Sequence, residues 1–225
     1  MKRILAVMAS VLALTSASAA LAQEKVSLRL NWILIGQHPA YYLGVERGFY
    51  KQAGIDLTIN EGRGSGIAVQ LVANGEDQFG LADAGTVVAA RAKGAPVSVI
   101  MSLFGVSNLG VIARPDAGIT NAQSLIGKKI AVTPGDALTQ VFPALLAANK
   151  IDRDKVELVF MDAAAKPISV LDGKTHALLG GIDDQAVTLE AKGMKPAILR
   201  FADYGANSQS VSVLTSLDMI KNKPD

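Results

Sequence analysis

Residues 26–60 read VSLRLNWILIGQHPAYYLGVERGFYKQAGIDLTIN, and the changes of rhythm inside this stretch decide the fold class. Val26, Leu28, Leu30 and Trp32 alternate with polar neighbours, the period of two that sets one face of a strand against a core. From His38 to Gly54 the pattern turns helical. Pro39 suits a first helical position, where its missing N–H is no loss, and Gly54 suits the left-handed residue that closes a helix. Ile55 to Asn60 is strand-like again. Strand, helix and strand in this order make a crossover unit, which joins parallel neighbours in one sheet.

Outward from this unit the rhythm continues. GIAVQLVANG (66–75) and TVVAARAKG (86–94) read as helices closed by Gly75 and Gly94, while QFGLADA (78–84) and PVSVIMSLF (96–104) read as strands. The loop-rich FGVSNLG (104–110) breaks the series. It then restarts with the strands LGVIARP (109–115), KKIAVTPG (128–135), VELVFMD (156–162) and HALLGG (176–181). Helical segments DALTQVFPALLAANK (136–150), AKPISVLDG (165–173) and DQAVTLEAKG (184–193) accompany them, and PAILRFAD (196–203) and VSVLTS (211–216) are extended. Pro143 conflicts with the first of these helices, and a start nearer Thr139 would ease the conflict. Two consecutive sets predict an α/β protein of two lobes, each a parallel sheet covered by helices. The first lobe is expected over 23–106, the second over 107–205, and a return crossing toward the first over 206–225.

The amino terminus reads as an address. Lys2 and Arg3 precede the apolar ILAVMASVLAL (4–14), and Ala20 to Ala22 supply a small-x-small cleavage site. A signal peptide over Met1–Ala22 is therefore expected, cleaved after Ala22, leaving a periplasmic protein with no stable membrane insertion. Cleavage would remove two bases and no acid from a chain with 22 Lys+Arg and 20 Asp+Glu, so the remainder is balanced in charge. Such a surface gives no electrostatic case for nucleic acid or an anionic membrane. The absence of cysteine excludes disulfides, thiolate metal sites, a cysteine nucleophile and a lipidated amino-terminal cysteine.

Ligands of open α/β sheets bind outside the carboxyl ends of the strands, where helix amino termini converge. Those positions are Trp32 with the loop to His38, the turn holding Gly64 and Ser65, and Asp83 with Ala84 in the first lobe. In the second they are Gly135 with Asp136, and Gly181 with Asp183 and Asp184. Each has a plainer reading: an aspartate just before a helix is most often a cap, and a tryptophan at a strand end is most often core. GRGSG (62–66) lacks the spaced-glycine dinucleotide pattern. Catalysis finds little support, since His38 and His176 have no metal-ligand spacing and there is no nucleophile elbow, phosphate-binding lysine loop or zinc-peptidase helix. No catalytic residue, metal or cofactor is expected.

In order along the chain, LRLNW, QHPAYYLGVERGFYKQAGIDLTI, GLADAGTVVAARAKGAPVSVI, SLIGKKIAVTPGDA and EAKGMKPAILRFADYG resemble the solute-binding proteins of ABC importers for nitrate, taurine, alkanesulfonates and thiamine pyrimidine precursors. The resemblance implies a type II periplasmic binding fold, with a solute trapped between two lobes by hinge closure and presented to a permease and its ATPase. A monomer is implied. Crossings would fall near Ser107–Gly110 and Tyr204–Val213, making Asn108 a further site residue. Trp32, His38 and Tyr41 would line the cleft, while Tyr42 and Tyr50 would pack the helix on its sheet. Asp83, Asp136, Asp183 and Asp184 suit a nitrogen heterocycle, a pyrimidine precursor or a flavin-like ring, better than a sulfonate, taurine or nitrate. The resemblance extends to an enzyme of the same fold that builds the thiamine pyrimidine and carries a cysteine-rich iron site, which a chain without cysteine lacks. Relatives continue past IKNKPD (220–225), so a truncated first lobe is expected.

Overall fold

The computed structural model describes residues 23–224, and the signal-peptide reading of Met1–Ala22 lies outside them. Strand β1 (Glu24–Arg29) lies between β2 (Ile55–Asn60) and β3 (Phe79–Asp83), parallel to both. The alternation that predicts this strand also sets its core face: Leu28 and Leu30 are buried with Leu81 and Val211. The helix expected over 38–54 is instead two, α1 (Pro39–Glu46) and α2 (Phe49–Gln52). Gly48 separates them with a φ of 72°, and the turn brings the Tyr50 ring onto Gly44, where an added Cβ would lie 2.7 Å from Cε2. Tyr50 thus packs on α1. Tyr41 joins the sheet core, and Tyr42, expected there, is exposed.

The first sheet runs β2-β1-β3-β10-β4, with β4 at Val97–Ser102 and β10 at Val211–Ser216. The second runs β7-β6-β8-β5-β9, with β5 at Leu109–Ala113, β6 at Lys129–Val132, β7 at Glu157–Phe160, β8 at Ala177–Gly181 and β9 at Ala197–Arg200. Neither sheet is purely parallel, which corrects the expectation. β5 is antiparallel to β8 and β9, and β10 is antiparallel to β3 and β4. The reason is directional. Parallel strands end at the side facing the other lobe, so a chain arriving from that lobe starts there and runs the opposite way. Each arriving strand is paired on both edges, and all of β5 is buried.

The two crossings run side by side. Leu103 N–H donates to the Val211 carbonyl at 3.1 Å and Ser210 N–H to the Phe104 carbonyl at 3.2 Å. Ser107 and Asn108 lie in the first crossing, whereas Gly110 already belongs to β5.

Helices α3 (Ser65–Ala73) and α4 (Ala84–Ala92) cover one face of the first sheet through Val69, Val72 and Val87, packed with Val97 and Leu214. In the second lobe α5 (Ala137–Ala148) sends Phe142, Leu145 and Leu146 into the largest buried cluster. Pro143 lies inside α5, and the helix starts at Ala137, not near Thr139. Asp136 caps it there, and Pro143 sits on the exposed face of the helix, where its ring and missing N–H disturb no buried packing. The segment expected as a helix over 184–193 begins as a π-helical turn, Ile182–Ala186, and continues as α7 (Val187–Ala191); α6 (Ala165–Leu171) precedes β8. Among the described residues no helix is long and apolar enough to cross a membrane.

Candidate functional site

Between the lobes lies a cavity of about 60 Å³. The loop after β1 brings Asn31, Trp32, Ile35 and Gln37 to it, the amino terminus of α3 brings Ser65, and the end of β3 brings Asp83. The second lobe supplies Asp136 and Leu138 from the start of α5, Lys166 from α6, and the segment from Gly180 to Gln185 apart from Ile182. Asn108 reaches it from the first crossing. All of these positions follow carboxyl ends of strands, where the backbone leaves the sheet and side chains can converge.

The aspartates both cap helices and line the cavity. Asp83 accepts from Gly85 N–H at 2.9 Å at the start of α4 and from Ser208 Oγ at 3.1 Å, while burial pushes its carboxyl up to about 6. Asp136 Oδ1 accepts from Thr139 N–H at 2.7 Å; its Oδ2 is buried without a hydrogen bond, 3.5 Å from Lys166 Nζ. Asp184 is pushed up by burial and by neighbouring Asp183, and held down in part by Lys166. Asp183 Oδ1 accepts from Asn108 Nδ2 at 2.5 Å, tying the crossing to the second lobe.

Lys166 is the cation of the site and is fully buried. It donates to the Leu179 carbonyl at 2.8 Å and stands 5.5 Å from the centre of the Trp32 ring, which belongs to the other lobe. Burial lowers its pKa, and Asp136 and Asp184 oppose the shift. One lysine facing four carboxyl groups gives the cavity a negative balance. A second acceptor, Gln185 Oε1, is also buried without a hydrogen bond.

Of the residues expected from the sequence, Trp32, Ser65, Asp83, Asn108, Asp136, Gly181, Asp183 and Asp184 line this cavity. His38 does not. It is fully buried behind the wall, with Nε2 3.0 Å from Asn31 Oδ1 and Nδ1 accepting from Ile35 N–H at 3.3 Å, so it positions two lining residues. Tyr41 lies in the first-lobe core. The Ala84 N–H meets the second crossing at the Gln209 and Ser210 carbonyls, 3.3 Å from each. Gly64 and Gly135 meet each other across the lobes: a Cβ at Gly64 would lie 2.3 Å from the Gly135 carbonyl oxygen. Sequence reading missed Lys166, Asn31 and Gln185. Lys166 opens a helix after β7, the kind of position that led to the aspartates, so the same rule could have found it. Among the described residues no group of three or more His, Cys, Asp or Glu is placed to hold a metal ion.

Two lobes joined by paired crossings, each sheet completed by a strand arriving from the other, define the fold of the periplasmic binding proteins. A structure from Bordetella bronchiseptica superposes with a TM-score of 0.72 at 19% identity, over 89% of this chain and 66% of that one. The periplasmic aliphatic sulphonate-binding protein SsuA of Escherichia coli gives 0.66 at 13%, covering 89% and 68%. The alkanesulfonate-binding protein SsuA of Xanthomonas axonopodis, solved with MOPS bound, gives 0.65 at 13%, covering 88% and 67%. The chain belongs to the family described as NMT1/THI5 like, which matches residues 35–225. Among curated relatives, the Saccharomyces cerevisiae 4-amino-5-hydroxymethyl-2-methylpyrimidine phosphate synthase THI5 is 33% identical over 108 residues, 48% of this chain and 32% of the enzyme. The Legionella pneumophila synthase is 32% identical over 108 residues, 34% of that enzyme. The match thus spans about a third of these relatives.

Proposed function

We propose that this protein is the periplasmic solute-binding component of an ABC importer, and that its solute is a single nitrogen heterocycle carrying N–H donors, such as an amino-substituted pyrimidine precursor of thiamine. The observation that carries this reading is the excess of acceptors on the cavity, where Asp83, Asp136, Asp183 and Asp184 share a single lysine and Gln185 Oε1 is buried without a hydrogen bond. Buried acceptors without donors cost free energy, and a ligand bringing N–H groups would recover it. Trp32 supplies a flat face for a ring. The sulfonate reading, which SsuA similarity favours, is weaker here because a desolvated sulfonate would meet four carboxyl groups and one lysine. A tricyclic flavin would need the lobes to stand wider apart than a single ring does.

The relatives named as pyrimidine phosphate synthases favour a second reading, an enzyme making such a pyrimidine. Against it stand the absence of cysteine and the export pattern of the first residues. One titration tests both readings. Trp32, the only tryptophan, reports in its emission while aminopyrimidines, flavins, taurine, alkanesulfonates and nitrate are added. Saturable response to aminopyrimidines alone supports the proposal, and response to sulfonates alone overturns it. An iron and pyridoxal phosphate turnover assay covers the enzyme.

A further inference from the structure

Lobe-to-lobe contact on one side of the cavity is made by glycine backbone. Gly66, the second residue of α3 in the first lobe, donates its N–H to the Gly135 carbonyl of the second lobe at 3.0 Å. A Cβ on Gly66 would lie 2.9 Å from that oxygen, and one on Gly64 2.3 Å from it. Gly135 has a φ of 78°, and an added Cβ there would meet Ile67 Cγ1 at 3.1 Å. Beside them Gly85, at the start of α4, would with a Cβ reach Val141 Cγ2 of α5 at 3.2 Å. The amino-terminal turn of α3 therefore meets the turn before α5 backbone to backbone, and a side chain at Gly64 or Gly66 would hold the lobes apart there.

We infer that Gly64, Gly66 and Gly135 form the closure stop of the cleft: they set how far the lobes close, and through that depth they determine the size of solute retained. The contact lies outside the cavity lining, so it acts on specificity without touching the ligand. Closure to this depth leaves about 60 Å³ and brings Lys166 of one lobe within 5.5 Å of the Trp32 ring of the other. A wider stop would leave both the acceptors and the indole too far from a small ring. This deepens the proposed function and rests on it for the identity of the solute, but the contact itself is a property of the two lobes.

Gly66 is the position to change. It needs no left-handed conformation, and a helix accepts alanine more readily than glycine, so Gly66→Ala and Gly66→Val alter the gap more than the lobe. Because the chain has no cysteine, cysteines placed at exposed Lys51 and Lys155 can carry spin labels that report the separation of the lobes. The expected result is that the shortest separations present in the parent protein are lost in Gly66→Val, with or without a 4-aminopyrimidine probe. Affinity for that probe should fall progressively from Gly to Ala to Val, reaching about tenfold if the closed population falls tenfold. Coinciding distance distributions in the parent and Gly66→Val overturn the closure stop. A parent protein that does not bind the aminopyrimidine sinks the proposed solute instead, and the distances still decide the contact.

Discussion

Lys166 Nζ stands 3.5 Å from Asp136 Oδ2 with both side chains shut off from solvent, so the second lobe contributes a buried ion pair to the wall of the cavity between the lobes. Removing one member of such a pair strands the other charge. Lys166→Met is expected to cost about 3–5 kcal/mol in urea unfolding, and Asp136→Asn to be milder because asparagine still caps α5. The double variant should recover much of the Lys166→Met loss. Simple additivity of the two would mean that the pair is not coupled.

The indole of Trp32 faces the same cavity from the opposite lobe. Stacking of a nitrogen ring on an aromatic side chain is worth about 1–3 kcal/mol by alanine substitution. Trp32→Ala should therefore weaken aminopyrimidine binding by roughly 5- to 150-fold in calorimetry, with Trp32→Phe losing less. Parent-like affinity in a folded Trp32→Ala would refute stacking.

The strand-to-helix rhythm was readable because apolar spacing at periods of two and 3.6 survives in nearly every segment, and carboxyl ends of strands are then candidate site positions without further information. That is how Trp32, Asp83 and Asp136 came into view. Strand direction was not readable. Nothing in LGVIA (109–113) or VSVLTS (211–216) records from which side the chain enters a sheet; that depends on the crossings, which are set by the whole fold. His38 and Tyr41 were misplaced for a related reason: a residue in a cleft-side loop can turn outward to the ligand or inward to hold the loop, and the hydrogen bond from His38 to Asn31 is made only after folding. Lys166 was overlooked because a lysine in sequence reads as solvated, and only the surrounding carboxylates and the Leu179 carbonyl make burial tolerable.

Asp77 offers a test of the first lobe alone. Its Oδ2 accepts from Arg29 Nε at 2.7 Å and its Oδ1 from Asn60 Nδ2 at 2.7 Å, joining β1, β2 and the turn before β3. Hydrogen bonds to charged groups contribute about 1.5–3 kcal/mol, so Asp77→Ala should lower stability by at least about 2 kcal/mol. A shift within error in denaturant unfolding would show that the junction is not a support of the lobe.

Asp83 makes stability depend on pH in a direction opposite to the usual carboxylate. Burial raises its folded value from 3.8 to about 6, so between these two values the native state holds a proton that the unfolded state releases. Stability from this group is therefore fully present below about pH 4 and is lost as pH rises through 6. The full difference is on the order of 3 kcal/mol. Burial of Asp184 acts in the same direction, whereas burial lowers the pKa of His38 and costs stability as pH falls below 6.5, so the parent protein's profile mixes opposing slopes. Asp83→Asn isolates the contribution of this carboxyl group. Its amide oxygen can still accept from Gly85 N–H and Ser208 Oγ, yet nothing at the position titrates. Relative to the parent, Asp83→Asn should gain stability on going from pH 4.5 to pH 7.5, read as the difference between their urea midpoints at constant slope. A difference that stays flat, or that changes sign, would show that Asp83 is ionised at ordinary carboxylate pH and that the cavity is wetter than its burial implies.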